Sequence, residues 1–359
     1  MKTINVRLGP RSYQILVGRR ILSQTGEKLK ALGLKDKAVI VTNPVVNRLY
    51  GGIVRQRLVE AGFQTTVLEI PDGEKYKTLA SAGKLYEQLA ACGTERSNPI
   101  LAVGGGVIGD LAGFVAATYL RGVPLVQIPT TLLAQCDSSI GGKTAIDYGQ
   151  LKNEIGAFYQ PKITISDIAA LQSLPQQEFC YGLAEVIKYA VIKDEIFFRY
   201  LEKHLDLIKS LDDNVLEAVV AKSARIKVEF VESDEKDTGL RNMLNFGHTV
   251  GHAVESVSNF RVSHGQAVSI GMVAAASLAV KMGLMDKADA VRLKKLLQRA
   301  GLPTALPLLE IAPLLQAMRY DKKVQGGKIR FVLPRAIGQV FITDDVNPAA
   351  VESVLGELR

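Results

Sequence analysis

The sequence predicts an α/β amino-terminal domain over residues 1–175 and a mostly α-helical carboxy-terminal domain over residues 176–359. Three observations carry this. Up to about residue 175, short runs rich in Val, Ile and Thr alternate with stretches of helical spacing. Past that point helical stretches dominate. A glycine-rich segment joins a strand run directly to a helix in the first half.

The elements follow in order. Ala38-Val39-Ile40-Val41-Thr42 is a β-branched run closed by Asn43-Pro44, a strand and a turn. Thr65 to Ile70 is a second, closed by Pro71-Asp72-Gly73. Ile100 to Val103 is a third, and Leu125 to Ile128, before Pro129, a fourth. Helical stretches such as 80–91 lie between them. Strands alternating with helices imply a mostly parallel sheet covered on both faces. In the second half, 178–208, 213–232, 244–258, 265–283 and 286–300 read as helices. The stretch from Val268 to Val280 is rich in small residues (Ala274, Ala275, Ala276, Ser277), which fits a helix buried on most sides. Residues 328–333 read as a late strand or hairpin arm. No internal repeat or low-complexity linker is present, so the boundary near Leu174-Pro175 is expected to be a cleft holding the active site, not a tether.

Composition excludes several function classes. Apolar residues make up 47% and charged residues 22%, which argues against disorder. No apolar run approaches the roughly 18 residues that a membrane span needs, and the start lacks the plan of a secretory signal. The three cysteines are odd in number and scattered, so a reduced, cytoplasmic setting is expected. The net charge is +8, but the basic residues are dispersed and there is no Trp. That pattern points away from nucleic acid and towards a phosphorylated or carboxylated metabolite.

Gly104-Gly105-Gly106-Val107-Ile108-Gly109-Asp110 satisfies G-x-G-x-x-G between the strand 100–103 and an apolar helix from Leu111. Glycines let backbone N–H groups approach a pyrophosphate, and a helix N-terminus favours its charge. This makes the first domain Rossmann-like. The usual acidic ribose ligand about 20 residues on is missing, since Pro129-Thr130-Thr131 carries no carboxylate. Asp72, Glu74 and Asp110 are the remaining candidates, so the nucleotide is expected to be held in a different way.

Three of the four histidines fall within residues 248–264. A catalytic zinc needs about three N or O ligands and one open position. His248 with His252, one helical turn apart, is one pairing; His248 with His264 is the other, and spacing does not choose. Glu185, three residues before Lys188 in an apolar helix, is the carboxylate candidate. If the helix reaches back to Arg241, then Arg241, Asn245, His248 and His252 form one stripe suited to an anion beside a metal. Asp137 to Thr144 is a polar glycine loop with one lysine, Lys143, and Lys152-Asn153 follows. Its place after a strand end argues for a ligand-facing loop.

Together these segments resemble the sugar-phosphate cyclase family, and within it the 3-dehydroquinate synthases. The resemblance runs nearly end to end. It rests on Asp72 to Lys77, Gly104 to Asp110, Tyr119 to Val123, Pro129 to Lys143, Lys152 to Phe158, Glu185 to Lys188, Leu244 to Thr249 and Asp321-Lys322-Lys323. It implies zinc, with cobalt as the alternative, on Glu185, His248 and His264, leaving His252 to the substrate. It implies NAD⁺ held by Asp72, Gly73, Glu74, Lys75, Tyr76 and Lys77 and by Gly105, Gly106, Val107, Ile108, Gly109 and Asp110. Asn43, Thr130, Thr131, Lys143 and Lys152 join that set. The substrate's anionic groups are expected at Asp137, Lys143, Asn153, Lys188, Lys227, Arg241, Asn245, His252 and Lys322. A family arginine matching Arg121 reaches the partner subunit's site, so a homodimer is implied.

The expected reaction converts 3-deoxy-D-arabino-heptulosonate 7-phosphate into 3-dehydroquinate and phosphate. The alternatives are a cyclase acting on another sugar phosphate and a metal-dependent polyol dehydrogenase. The chain departs from the family pattern at Asp147-Tyr148-Gly149, where members carry an asparagine followed by His-Pro. It departs again at Leu151, where they carry glycine. A different course is therefore expected for residues 145–151.

Overall fold

The computed structural model describes residues 1–149, 151–319 and 329–359. It divides the chain into two compact units, each built from two segments: 1–175 with 213–236, and 176–212 with 237–359.

The first unit is built on a seven-stranded sheet. Its strands are β1 (Lys2–Val6), β2 (Tyr13–Gly18), β3 (Lys37–Thr42), β4 (Gln64–Glu69), β5 (Ile100–Gly104) and β6 (Leu125–Pro129), with β9 (Ile163–Asp167) completing it after the hairpin β7 (Lys143–Tyr148)–β8 (Leu151–Phe158). The spatial order is β1-β2-β9-β6-β5-β3-β4. Only the β1–β2 pair is antiparallel. The helices of this segment are α1 (Thr25–Ala31), the single turn α2 (Pro44–Val46), α3 (Gly52–Glu60), α4 (Leu79–Ala91) and α5 (Gly106–Thr118). Strand alternation sends side chains to two cores. Val39 and Val41 join Leu85, Leu111 and Val115 of α4 and α5, while Ala38 and Ile40 join Leu29, Val54 and Leu58 of α1 and α3. Covered on both faces, β5 and β6 are buried at every residue, which is why they read as unbroken apolar runs.

The second unit holds α6 (Gln176–Lys193) and α7 (Glu195–Lys209), and after α8 (Asp213–Ser233) it continues with α9 (His248–Val257), α10 (His264–Lys281), α11 (Lys287–Arg299), α12 (Ile311–Arg319) and α13 (Pro348–Glu357). A small antiparallel pair, β10 (Phe331–Ala336) and β11 (Gln339–Thr343), lies before α13. Among the described residues no helix is long and apolar enough to cross a membrane.

Three expectations change. The helix expected over 178–208 is two, broken at Asp194, whose carboxylate accepts from Phe197 N at 2.8 Å and starts a new helix. The helix expected over 244–258 begins only at His248. Leu240–Asn245 is a 3-10 turn, and Gly247 at φ +79° breaks the path between them. The stripe running from Arg241 to His252 is therefore not one helical face. Residues 145–149 and 151 belong to the β7–β8 hairpin, with a register shift between Ile146 and Tyr148. Finally α8, expected in the helical domain, groups with the first unit. It packs on β1, β2, the π-helical turn Ala134–Ser138 and the 3-10 segment Ile168–Ser173.

Candidate active site

The second unit brings together a carboxylate and two imidazoles. Glu185 on α6 is wholly buried, and its Oε1 lies 3.6 Å from His248 Nε2 and 3.4 Å from His264 Nε2. Its Oε2 is in ionic contact with Lys188, one turn along. Neither carboxylate oxygen accepts a hydrogen bond of good geometry. Each imidazole is aimed from behind. His248 Nδ1 lies 3.0 Å from the Phe246 carbonyl, and His264 Nδ1 lies 3.2 Å from Glu255 Oε2. Both rings thus carry a proton on Nδ1 and present Nε2 to the space beside Glu185.

Local sequence explains the placement. His248 is the first residue of α9, set by the left-handed Gly247. His264 is the first residue of α10, fixed by Ser263, whose N–H and hydroxyl both donate to Gln266 Oε1 at 3.0 and 3.1 Å. The two helices can approach because Gly271 faces Gly247; a Cβ on Gly271 would lie 1.8 Å from the Gly247 carbonyl oxygen.

These residues fit a divalent metal. Ligands about 2.0–2.2 Å from a common tetrahedral ion lie about 3.3–3.6 Å apart, which is the spacing seen here. The candidate ligand atoms of Glu185, His248 and His264 all lie within 4.8 Å of one another. A wholly buried carboxylate is stable only beside positive charge; Lys188 supplies it at Oε2, and Oε1 faces the two Nε2 atoms, where a metal ion would supply it. Burial opposes charge on His264, but Glu185 and Glu255 outweigh it and raise its pKa to about 10. The site therefore draws positive charge even as a proton. His252 is exposed and sits edge-on to His248, with centroids 5.3 Å apart; it groups instead with Glu255 and His264. Glu255 was missed in the sequence, although its i,i+3 spacing from His252 was a usable signal.

Arg241 is 2% exposed on its 3-10 turn, and Asn245 at the end of that turn donates to Asn242 Oδ1 at 3.4 Å. Lys322 lies outside the described residues.

In the first unit, Lys227 of α8 reaches the π-helical turn and donates to the Asp137 carbonyl at 2.7 Å and to its Oδ1 at 2.6 Å. A second network surrounds the buried Lys77. Its ammonium contacts Asp110 Oδ2 at 2.7 Å, Glu74 Oε1 at 3.8 Å and the Asn153 side chain. Burial opposes the Lys77 charge, but Asp110 and Glu74 outweigh it and raise its pKa; burial likewise lifts the Asp110 carboxyl against the pull of Lys77. Lys152 approaches Glu74 at 3.6 Å, and Asn153 N donates to Asp147 Oδ1 at 3.0 Å. Asn153, read as a substrate contact, thus stands among the residues read as nucleotide contacts, and Asp147 joins them.

Asn43 caps α2 and donates to Asp72 Oδ1 at 2.8 Å. Gly73 precedes the 3-10 turn Glu74–Tyr76, in which Lys75 lies over the Tyr76 ring. Gly105 caps α5, whose first turn holds Gly106, Val107, Ile108, Gly109 and Asp110. A Cβ on Gly105 would meet Thr131 Cγ2 at 3.1 Å, so the loop runs close beside Thr130 and Thr131. Lys143 is exposed at the start of β7, and Arg121 is exposed at φ +63°.

The chain matches the family model for the 3-dehydroquinate synthase N-terminal part over residues 67–181 and that for the C-terminal part over residues 182–324. It is 47% identical over 359 residues to the 3-dehydroquinate synthase of Dehalococcoides mccartyi (strain CBDB1), covering 100% of both chains. It is 48% identical over 359 residues to that of Desulforamulus reducens, covering 99% of this chain and 100% of the relative. Among solved structures it resembles ValA, the 2-epi-5-epi-valiolone synthase from Streptomyces hygroscopicus subsp. jinggangensis 5008 with NAD⁺ and Zn²⁺ bound. The TM-score is 0.90, with 28% identity over 96% of each chain. With relatives this similar along its whole length, the chain belongs to the 3-dehydroquinate synthase family.

Proposed function

We propose that the chain converts 3-deoxy-D-arabino-heptulosonate 7-phosphate into 3-dehydroquinate and phosphate, the second step of the shikimate pathway. The observation that carries the chemistry is the buried Glu185 carboxylate flanked by two Nε2 atoms at 3.4 and 3.6 Å. The substrate is chosen by the relatives, since identity is 47% to 3-dehydroquinate synthases and 28% to the valiolone synthase.

The reaction runs by transient oxidation, phosphate elimination, reduction and intramolecular aldol closure, with no net redox. NAD⁺ supplies the reversible two-electron oxidant, and a divalent metal supplies Lewis acidity at neighbouring hydroxyls. Glu185, His248 and His264 would hold the metal. The α5 N-terminus at Gly105–Asp110 would take the pyrophosphate, where backbone N–H groups and the helix dipole favour anions. Asn43 and the segment Asp72–Lys77 would hold the remainder of the dinucleotide, together with Thr130, Thr131 and Lys152. Lys143, Lys188, Lys227, Arg241 and Lys322 would meet the carboxylate and phosphate. Asp137 would keep Lys227 aimed, and Asn153, Asn245 and His252 would bind hydroxyls or pass protons. Holding both ends of a flexible substrate makes the closing aldol step effectively unimolecular. Arg121 would reach the site of a second subunit in a homodimer. Three cysteines outside any disulfide and dispersed charge fit a cytoplasmic enzyme that engages neither nucleic acid nor membrane.

A phosphate-release assay on the heptulosonate phosphate, followed also at 340 nm, tests this. We expect phosphate without lasting NADH absorbance, and loss of turnover with a chelator. Lasting NADH would indicate a polyol dehydrogenase. Turnover only of sugar phosphates lacking the carboxylate would indicate another cyclase.

A further inference from the structure

We propose that Glu255 is a positioning residue of the metal centre: its carboxylate accepts from His264 Nδ1–H and holds that ring with Nε2 facing Glu185. The inference rests on the reading of Glu185, His248 and His264 as metal ligands. Glu255 lies on α9 and is 7% exposed, so its carboxylate is placed at a cost that a surface glutamate does not carry. It stands 3.2 Å from His264 Nδ1, while the opposite nitrogen of the same ring stands 3.4 Å from Glu185. One imidazole thus bridges two carboxylates.

The two candidate imidazole ligands are held unequally. His248 is aimed by a backbone carbonyl, which the fold supplies whatever side chain is present. His264 is aimed by a side chain, so its orientation hangs on one residue. A carboxylate behind a histidine ligand fixes the tautomer and makes the other nitrogen a stronger donor; losing such a partner weakens metal affinity by about 10–100-fold. His252, Glu255 and His264 also lie close enough to hold an ion themselves. Against that, His252 is exposed, whereas Glu185 is wholly buried and its Oε1 faces the Nε2 atoms of both His248 and His264. That geometry favours the Glu185 side of the ring for the cation.

The test strips metal from the unaltered protein, Glu255→Gln, Glu255→Ala and Glu185→Gln, then titrates each with Co²⁺ and follows the visible absorption. For Glu255→Ala we expect roughly 10–100-fold weaker uptake with an altered cobalt band. Glu255→Gln, which keeps the shape and a neutral acceptor, should fall between it and the unaltered protein. NAD⁺ affinity and the circular dichroism of metal-free Glu255→Gln should not change, which separates aiming from folding. Uptake by Glu255→Gln within twofold of the unaltered protein, with the same spectrum, overturns the inference. So does complete loss of uptake matching Glu185→Gln, which would make Glu255 a ligand. If the unaltered protein takes up no cobalt, the ligand reading itself falls and this inference with it.

Discussion

At the scale of residues, the candidate metal cluster shows both the reach and the limit of the sequence. That residues 248–264 hold a histidine cluster was legible, because three of only four histidines gather there. Which of them face one carboxylate was not legible from spacing; only the family resemblance pointed to His248 and His264. The i,i+4 pair His248 and His252 shares a helix, yet Glu185 sees His248 and His264, which open two different helices. That choice depends on how α9 packs against α10, a contact that residue spacing does not encode. A direct consequence concerns His248→Ala. The substitution removes one of the two Nε2 atoms and leaves a buried carboxylate poorly compensated. Partners behind metal ligands are worth about 10–100-fold, so removal of a ligand should lower both metal affinity and kcat/KM by more than about a hundredfold. Metal content after dialysis and phosphate-release kinetics measure this; retained metal with normal turnover would remove His248 from the ligand set.

At the scale of elements, the parallel strands were legible because burial on both faces makes each a continuous apolar run. Helix ends were less so. Asp194 interrupts what reads as one helix, and the polar signal of an N-cap was outweighed by apolar periodicity on both sides. Gly247 looked like a helical glycine but adopts φ +79° and starts α9 afresh. The contact that matters most is between helices. Gly271 on α10 meets the Gly247 carbonyl so closely that a Cβ would lie 1.8 Å from it, and backbone cannot swing aside. Gly271→Ala should therefore force α9 and α10 apart. Overpacking of this kind costs about 1–3 kcal/mol, sometimes more. Gly83→Ala in α4 is the control, because nothing lies within 4 Å of its Cβ. There, replacing glycine in a helix should stabilise by about 0.5–1 kcal/mol. Denaturant titration reads both. Metal uptake should weaken only for Gly271→Ala, since His248 and His264 ride on the two helices being separated. Equal effects from the two substitutions would contradict the close approach.

At the scale of the whole molecule, the break near residue 175 was legible from the change in pattern, while the return of 213–236 to the first unit was not. The apolar face of α8 announces that it is buried but not against what. It buries Val215, Leu216, Val219, Val220, Ile226, Val228 and Val231, and it contacts β1, β2 and the segments 134–138 and 168–173. Lys227 adds a charged anchor to Asp137. A polypeptide of residues 1–175 would contain every strand of the seven-stranded sheet yet lack this helix. Burying one Val, Leu or Ile side chain is worth about 1.5–3 kcal/mol, and a domain's net stability is about 5–15 kcal/mol. Uncovering four or five such contacts consumes that margin. Residues 1–175 alone should therefore lack a cooperative unfolding transition and bind NAD⁺ poorly by calorimetry, although every proposed nucleotide contact is present. Supplying residues 213–236 as a separate peptide should restore both properties. A cooperative transition in the shorter chain alone, with native NAD⁺ affinity, would mean that the sheet closes its own core and that α8 is retained for Lys227 rather than for packing.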